Sequence, residues 1–305
     1  MSEYVVEAIN LNKKFKDTYA VSNIEMKIRK GDIYGFIGSN GAGKSTTLKM
    51  IAGLMFPTSG EIKLFGERRN AYTSQRVGSL IENAGIYPNL SAYDNMDILS
   101  TSMGLKNKQK IIEILELVHL DPKSKKKAKK FSLGMKQRLG IAMALLGNPD
   151  LLILDEPING LDPEGIREIR EVILRLNEEK DMTIIISSHI LGELSKVATR
   201  YGIIRNGRMI EELTAEQLEE KCRNYLSIIV KEPSLVIPIL EKELHICDYL
   251  VHENNEIRVF DDVDSLEVSA VLSKHHVAVS QIVYQKQDLE TYFLEKIGEE
   301  GVNHD

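Results

Sequence analysis

The sequence predicts an α/β fold with a parallel core sheet, followed by a small C-terminal α+β domain. Three observations predict it. Leu151-Leu152-Ile153-Leu154 and Thr183-Ile184-Ile185-Ile186 are continuous apolar runs, the pattern of strands buried on both faces of a parallel sheet. The segment Pro163–Glu179 between them is long enough for the helix of a βαβ crossover. A third short apolar run, Ile33–Ile37, leads into Gly38-Ser39-Asn40-Gly41-Ala42-Gly43-Lys44-Ser45, and a helix from Thr46 to Ala52 follows.

Taken in order, Tyr4–Ile9 and Val21–Ile28 alternate well enough to be antiparallel strands, with Phe15 in the loop between them. Gly53–Gly66 is turn-rich and contains a short strand, Glu61–Phe65. From Asn70 to Leu146 the pattern is mainly helical, with interruptions at Val77–Asn89 and Lys123–Gly134. Tyr201–Arg205 and Arg208–Glu211 flank Asn206-Gly207, a strong type I′ hairpin signal. Thr214 with Gln217 forms a capping box for a helix ending near Lys221. Beyond it come strand Asn224–Val230, helix Ser234–Leu244, strands Ile246–His252 and Glu256–Phe260, helix Ser265–His275, strand Ala278–Gln285 and helix Leu289–Ile297. That order is a ferredoxin-like split βαβ unit plus one helix. Domains are expected over 1–220 and 221–305.

Bulk composition narrows the classes. The 305 residues are 43% hydrophobic and 28% charged, ordinary for a globular chain with a full core. A net charge of −6 argues against a dedicated nucleic-acid binder. The two cysteines, Cys222 and Cys247, lack metal spacing, and the reducing cytosol is the expectation. No signal peptide is read at Met1–Glu3, and no apolar run reaches the roughly 18 residues of a membrane-spanning helix. If the protein serves a membrane, another chain must cross it.

The loop Gly38–Ser45 fits G-x-x-x-x-G-K-[ST] between a strand and a helix, where backbone N–H groups can cradle a polyphosphate. Lys44 is expected to reach the β- and γ-phosphates and Ser45 to ligate Mg²⁺. Asp155 and Glu156 end a buried parallel strand, where ligands meet an open α/β sheet. Asp155 suits Mg²⁺, together with Ser45, and Glu156 suits the attacking water. Ser132 and Gly134 stand at the mouth of a helix running from Met135 to Leu146, a second anion site. Two such termini suggest that one completes the site of a neighbouring molecule.

The phosphate loop, Ser132-Leu133-Gly134, Asp155-Glu156, Asn159-Gly160-Leu161-Asp162 and Ser187-Ser188-His189 stand in the order of ABC-type ATPases. From Tyr4 to Leu213 the chain resembles that family. The resemblance implies a P-loop ATPase domain with a parallel core sheet, an antiparallel β subdomain and a helical subdomain. It implies ATP and Mg²⁺, with nucleotide contacts from Gly38, Ser39, Asn40, Gly41, Ala42, Gly43, Lys44, Ser45 and Thr46. It makes Phe15 the aromatic that stacks on adenine, with Tyr19 as the alternative. Ser132 and Gly134 would meet the γ-phosphate held by a partner subunit, Asp162 would cross the dimer seam, and His189 would sense the γ-phosphate.

Two departures from the family pattern stand out. The signature reads Phe131-Ser132-Leu133-Gly134-Met135, with Ser132 and Gly134 kept. Glu82 stands where the family usually has a glutamine, a position that would place it near Mg²⁺ and the water. With Tyr87-Pro88-Asn89-Leu90-Ser91, this is similar to the bacitracin-resistance and lantibiotic-immunity branch of ABC exporters. The resemblance implies a homodimer closed by ATP, acting beneath separately encoded transmembrane permease subunits on the cytosolic face. The competing expectation is a soluble ABC-type ATPase acting on nucleic acid or ribosomes. The six lysines of Lys123–Lys130 read as a solvated loop, with anionic lipid headgroups as the alternative contact.

Overall fold

A computed structural model describes residues 3–82, 84–105, 107–252, 254–285, 292, 293 and 296. They divide into two compact units, one ending at Ala215 and one beginning at Glu216.

The first unit opens with strands β1 (Tyr4–Phe15) and β2 (Thr18–Arg29), followed by β3 (Ile33–Ile37) and helix α1 (Lys44–Ala52). Strands β4 (Ser59–Leu64) and β5 (Glu67–Arg68), helix α2 (Ala71–Gln75) and strand β6 (Val77–Leu80) come next. Helices α3 (Ala92–Ser102), α4 (Lys108–Leu117) and α5 (Leu133–Leu145) form the helical part. The chain then returns through β7 (Leu151–Asp155), α6 (Pro163–Lys180), β8 (Thr183–Ser188), α7 (Leu191–Leu194), β9 (Arg200–Arg205) and β10 (Arg208–Thr214).

The main sheet has the order β10-β9-β3-β8-β7-β6, and β9, β3, β8, β7 and β6 run parallel. Strands β3, β7 and β8 are buried at every position, which is why β3 and β7 are almost wholly apolar and why the buried Thr183, Ser187 and Ser188 of β8 are hydrogen-bonded. A second, antiparallel sheet has the order β2-β1-β4-β5. Leu48, Met50 and Ile51 of α1 are buried in one cluster with Val6 and Ile24 of that sheet and Leu151 and Ile153 of the main sheet. This packing fixes α1 at the carboxyl end of β3, with its N-terminus at the phosphate loop.

Three local expectations change. The first two strands are longer than their alternating cores, so Phe15 ends β1 instead of lying in a loop. Register shifts along β1 and β2 break the alternation that would have marked the full length. The interruption at Val77–Asn89 contains β6, a parallel edge strand whose Gly78 lets α5 approach: a Cβ there would lie 2.3 Å from the Ala144 carbonyl oxygen. The strand expected at Glu61–Phe65 is shifted to Ser59–Leu64, because Phe65 turns at a φ of 57°.

The second unit holds α8 (Ala215–Lys221), which begins at the division, β11 (Tyr225–Val230), α9 (Pro233–Glu243), β12 (Tyr249–Val251), β13 (Glu256–Val259), α10 (Ser265–Lys274) and β14 (Val279–Gln285). Its sheet is ordered β12-β13-β11-β14, with every neighbour antiparallel, which is the ferredoxin-like arrangement. Its core is its own: Leu226, Ile228, Val236, Leu240, Ile257, Val268 and Leu272 are buried together. The expected helix Leu289–Ile297 lies outside the described residues except at Tyr292, Phe293 and Lys296.

Candidate nucleotide site

The loops leaving the carboxyl ends of β3, β7 and β8 converge, since these three strands are adjacent and parallel. The phosphate loop leaves β3. Gly43 caps α1 at a φ of 108° and Gly41 lies at 81°, both in the left-handed region that glycine enters without a Cβ penalty. Gly38 has a different reason. A Cβ there would lie 2.4 Å from the Ile204 carbonyl oxygen of β9. The hairpin tip locks the loop from the other side: Gly207 N–H donates to the Ala42 carbonyl at 2.9 Å, and Ser22 N–H donates to the Gly207 carbonyl at 2.7 Å.

Ser39, Asn40, Gly41, Gly43, Lys44, Ser45, Thr46, Ala20 and Glu156 line a cavity of about 180 Å³ over this loop. Lys44 is only 5% exposed. Its Nζ donates to the Gly38 carbonyl at 2.6 Å and the Ser39 carbonyl at 3.3 Å. It also lies 3.3 Å from Glu156 Oε1, an ion-pair contact without an aligned hydrogen bond. An anionic phosphate oxygen in the cavity is the natural replacement for those carbonyls.

Glu156 holds a φ of 50°, uncommon for a residue with a side chain. Two hydrogen bonds fix this conformation. Its N–H lies 2.9 Å from Ser187 Oγ and 3.2 Å from the Ser187 carbonyl. Ser187 Oγ in turn donates to Asp155 Oδ1 at 2.6 Å. Ser187 is therefore the post that orients both acids. It stands opposite Asp155 in the parallel register, a cross-strand relation with no local sequence signal. His189 Nδ1 sits 2.8 Å from Glu156 Oε2, so one carboxylate lies between the buried lysine and the histidine.

The remaining candidates stand elsewhere in the unit. Ser132 caps α5, its Oγ accepting from Met135 N–H at 3.2 Å. Asp162 caps α6, with Oδ1 accepting from Gly165 N–H at 3.2 Å and Pro163 in the first turn. Gly134 is buried beside Gly165 and Leu161. Phe15 is 48% exposed, with the Lys13 ammonium 5.2 Å from its ring centroid, and Tyr19 is 52% exposed. Glu82 pairs with Lys49 of α1 at 2.5 Å and lines a separate cavity with Gly85, Pro88, Lys129, Leu133 and Lys136.

The donor set fits Mg²⁺ only when phosphate is present. Among the described residues no cluster of three or more His, Cys, Asp or Glu forms a metal cage. Mg²⁺ prefers one or two protein ligands plus phosphate oxygens and water. Ser45 at the cavity and the buried Asp155, held by Ser187, are of that kind.

Residues 21–159 match the family described as ABC transporter. The bacitracin transport ATP-binding protein of Bacillus licheniformis is 41% identical over 298 residues, covering 96% of this chain and 97% of that protein. The lantibiotic transport ATP-binding protein of Streptococcus pyogenes is 46% identical over 220 residues, 71% of this chain and 95% of that one. A solved dimeric ATP-binding cassette in a post-hydrolysis state with ADP and Pi shares the fold. Its TM-score is 0.62 at 24% identity, over 69% of this chain and 98% of that chain. Among the described residues no helix is long and apolar enough to cross a membrane. Fold, site and likeness converge: the chain belongs to the ABC transporter ATP-binding family and is an ATP-hydrolysing subunit.

Proposed function

We propose that this ATPase drives export of peptide antibiotics of the bacitracin and lantibiotic kind through separately encoded permease subunits, acting as a homodimer that sandwiches ATP. The observation that carries the hydrolytic part is the position of Glu156, half-buried between Lys44 and His189, with its backbone held by Ser187. The cargo rests on likeness that extends through both units to a bacitracin transport protein.

In this reading ATP enters the cavity over residues 38–46, and Lys44 moves from the Gly38 and Ser39 carbonyls to the β- and γ-phosphates. Loss of Lys44 as an ion-pair partner frees Glu156 Oε1 to accept a proton from the attacking water. His189 steadies Oε2 and reaches toward the γ-phosphate. Ser45 and Asp155 would hold Mg²⁺, which would supply positive charge against the phosphates. Ser132, Gly134 and Asp162 act on the partner's nucleotide, and Phe15 stacks on adenine. Glu82 would reach the metal side of the site only by leaving its ion pair with Lys49.

The test is expression with the matched permease in a sensitive bacterial host, followed by exposure to bacitracin and a lantibiotic panel. Resistance is expected with the native chain and lost with Lys44→Ala. Unchanged sensitivity with both proteins present at the membrane would remove the cargo assignment.

A further inference from the structure

Arg138 is a buried cation that the hydrolytic scheme leaves without a role. It is 7% exposed and sits in α5, six residues after Ser132. Its Nη1 donates to the Val118 and His119 carbonyls at 3.3 and 2.7 Å, at the C-terminal end of α4. These carbonyls have no helical partner of their own and lie at the negative end of the helix dipole. Its Nη2 lies 3.2 Å from Glu168 Oε2 on α6, while Nε is buried without a hydrogen-bond partner. A buried charge is costly unless it is paired and hydrogen-bonded, and fixing the register of packed elements is the best-attested use of such a pair.

The register fixed here is between two helices that both begin at candidate trans-acting residues. Ser132 caps α5 and Asp162 caps α6. Within the first turn of each helix the backbones meet through glycines, since a Cβ on Gly134 would lie 3.8 Å from Gly165 Cα. One further turn along, Arg138 meets Glu168. The glycine contact sets how near the helices lie. The Arg138 fork sets how far one can slide or rotate past the other, because its planar donors bind two elements at once.

We propose that Arg138 is a positioning residue: it clamps α5 to α6 so that Ser132, Gly134 and Asp162 reach the partner subunit's ATP as one rigid unit. The proposal rests on the sandwich reading above. It predicts a defect in trans, confined to the nucleotide bound by the other subunit.

The experiment mixes purified full-length subunits and measures ATPase rate. Arg138→Met homodimers should bind ATP as the native protein does but turn over about 10–100-fold more slowly, in keeping with the cost of an angstrom-scale misplacement. Mixed with Lys44→Ala subunits, they form heterodimers in which the intact Lys44 faces an intact α5. The mixture should exceed both parents. Glu168→Gln, a milder change at the partly exposed end of the pair, should show the same pattern at smaller amplitude and covers the case of a poorly folded methionine variant. A Ser132→Arg and Lys44→Ala mixture is the control. If the control is rescued but neither Arg138→Met nor Glu168→Gln is, the two residues act within their own site or on folding, and the proposal is overturned. If the control itself fails despite proven heterodimers, the sandwich reading falls and the proposal with it.

Discussion

At the scale of single residues, the site ties its reactive groups to one another. Lys44 is occupied by two carbonyls and Glu156, and Glu156 is shared between Lys44 and His189. Glu82 is different. Its side chain is 65% exposed, and its ion pair with Lys49 lies at the surface. Such pairs contribute about 0–1 kcal/mol, so Glu82→Gln should leave the melting temperature nearly unchanged. Its expected effect is on the Mg²⁺ dependence of turnover, because an amide cannot bind the metal as an anion. Superimposable Mg²⁺ titrations of the native and Glu82→Gln enzymes would restrict Glu82 to its bond with Lys49. The reactive groups were legible because Lys44, Asp155, Glu156 and His189 sit at motif positions. Ser187 stands in the quoted Ser187-Ser188-His189 without a role of its own, and Lys49 and Arg138 carry none in the sequence, since the partners of all three lie far away in the chain.

At the scale of elements, the main sheet is held by contacts that a sequence reading passes over. Tyr34 of β3 is fully buried and donates to Glu212 Oε1 of β10 at 2.5 Å. Gly202 of β9, between them, makes room: a Cβ there would lie 2.0 Å from Tyr34 Oη and 2.7 Å from Cζ. Gly202→Ala should therefore destabilise the first unit by about 1–3 kcal/mol, measured by denaturant unfolding. Full native stability would show that the ring can move aside.

The same pair gives a pH dependence. Burial pushes the Glu212 carboxyl up, against the hydrogen bond from Tyr34 and the nearby Arg200. A raised folded pKa means the folded state holds the proton more tightly than the unfolded chain. This contribution to stability is fully present below the unfolded value of about 4.3 and is lost as pH rises through the folded value. Glu212→Gln should thus gain stability relative to the native protein between acid and neutral pH. A difference that stays constant from pH 4 to 7 would contradict the assignment. The buried strands β3, β7 and β8 were readable from continuous apolar runs. Strand β6 was not, because Val77-Gly78-Ser79-Leu80 has a glycine chosen for the approach of α5 and too few apolar residues to form such a run.

At the scale of the molecule, two cores imply two folding units. The second has its own four-stranded sheet and a buried cluster drawn from residues 226–272. Heating should give two separable transitions, with ATP and Mg²⁺ raising only the one that belongs to the first unit. A single transition shifted as a whole by nucleotide would contradict that independence. The β-α-β-β-α-β order of the second unit was visible because each strand is bounded by turn or capping residues. Its β12 is shorter than expected, since only Tyr249–Val251 pair with β13.

The central claim is that Glu156 takes the proton from the water that attacks ATP. The most direct test is phosphate release by Glu156→Gln at saturating ATP and Mg²⁺, with nucleotide binding measured on the same sample. The substitution keeps the shape and the left-handed backbone while removing the base. Hydrolysis should fall by about 10²–10⁴-fold, the range for positioned general-base catalysis, with ATP affinity retained and an ATP-bound dimer accumulating on size exclusion. A near-native rate of phosphate release from the folded, ATP-bound variant would contradict the claim.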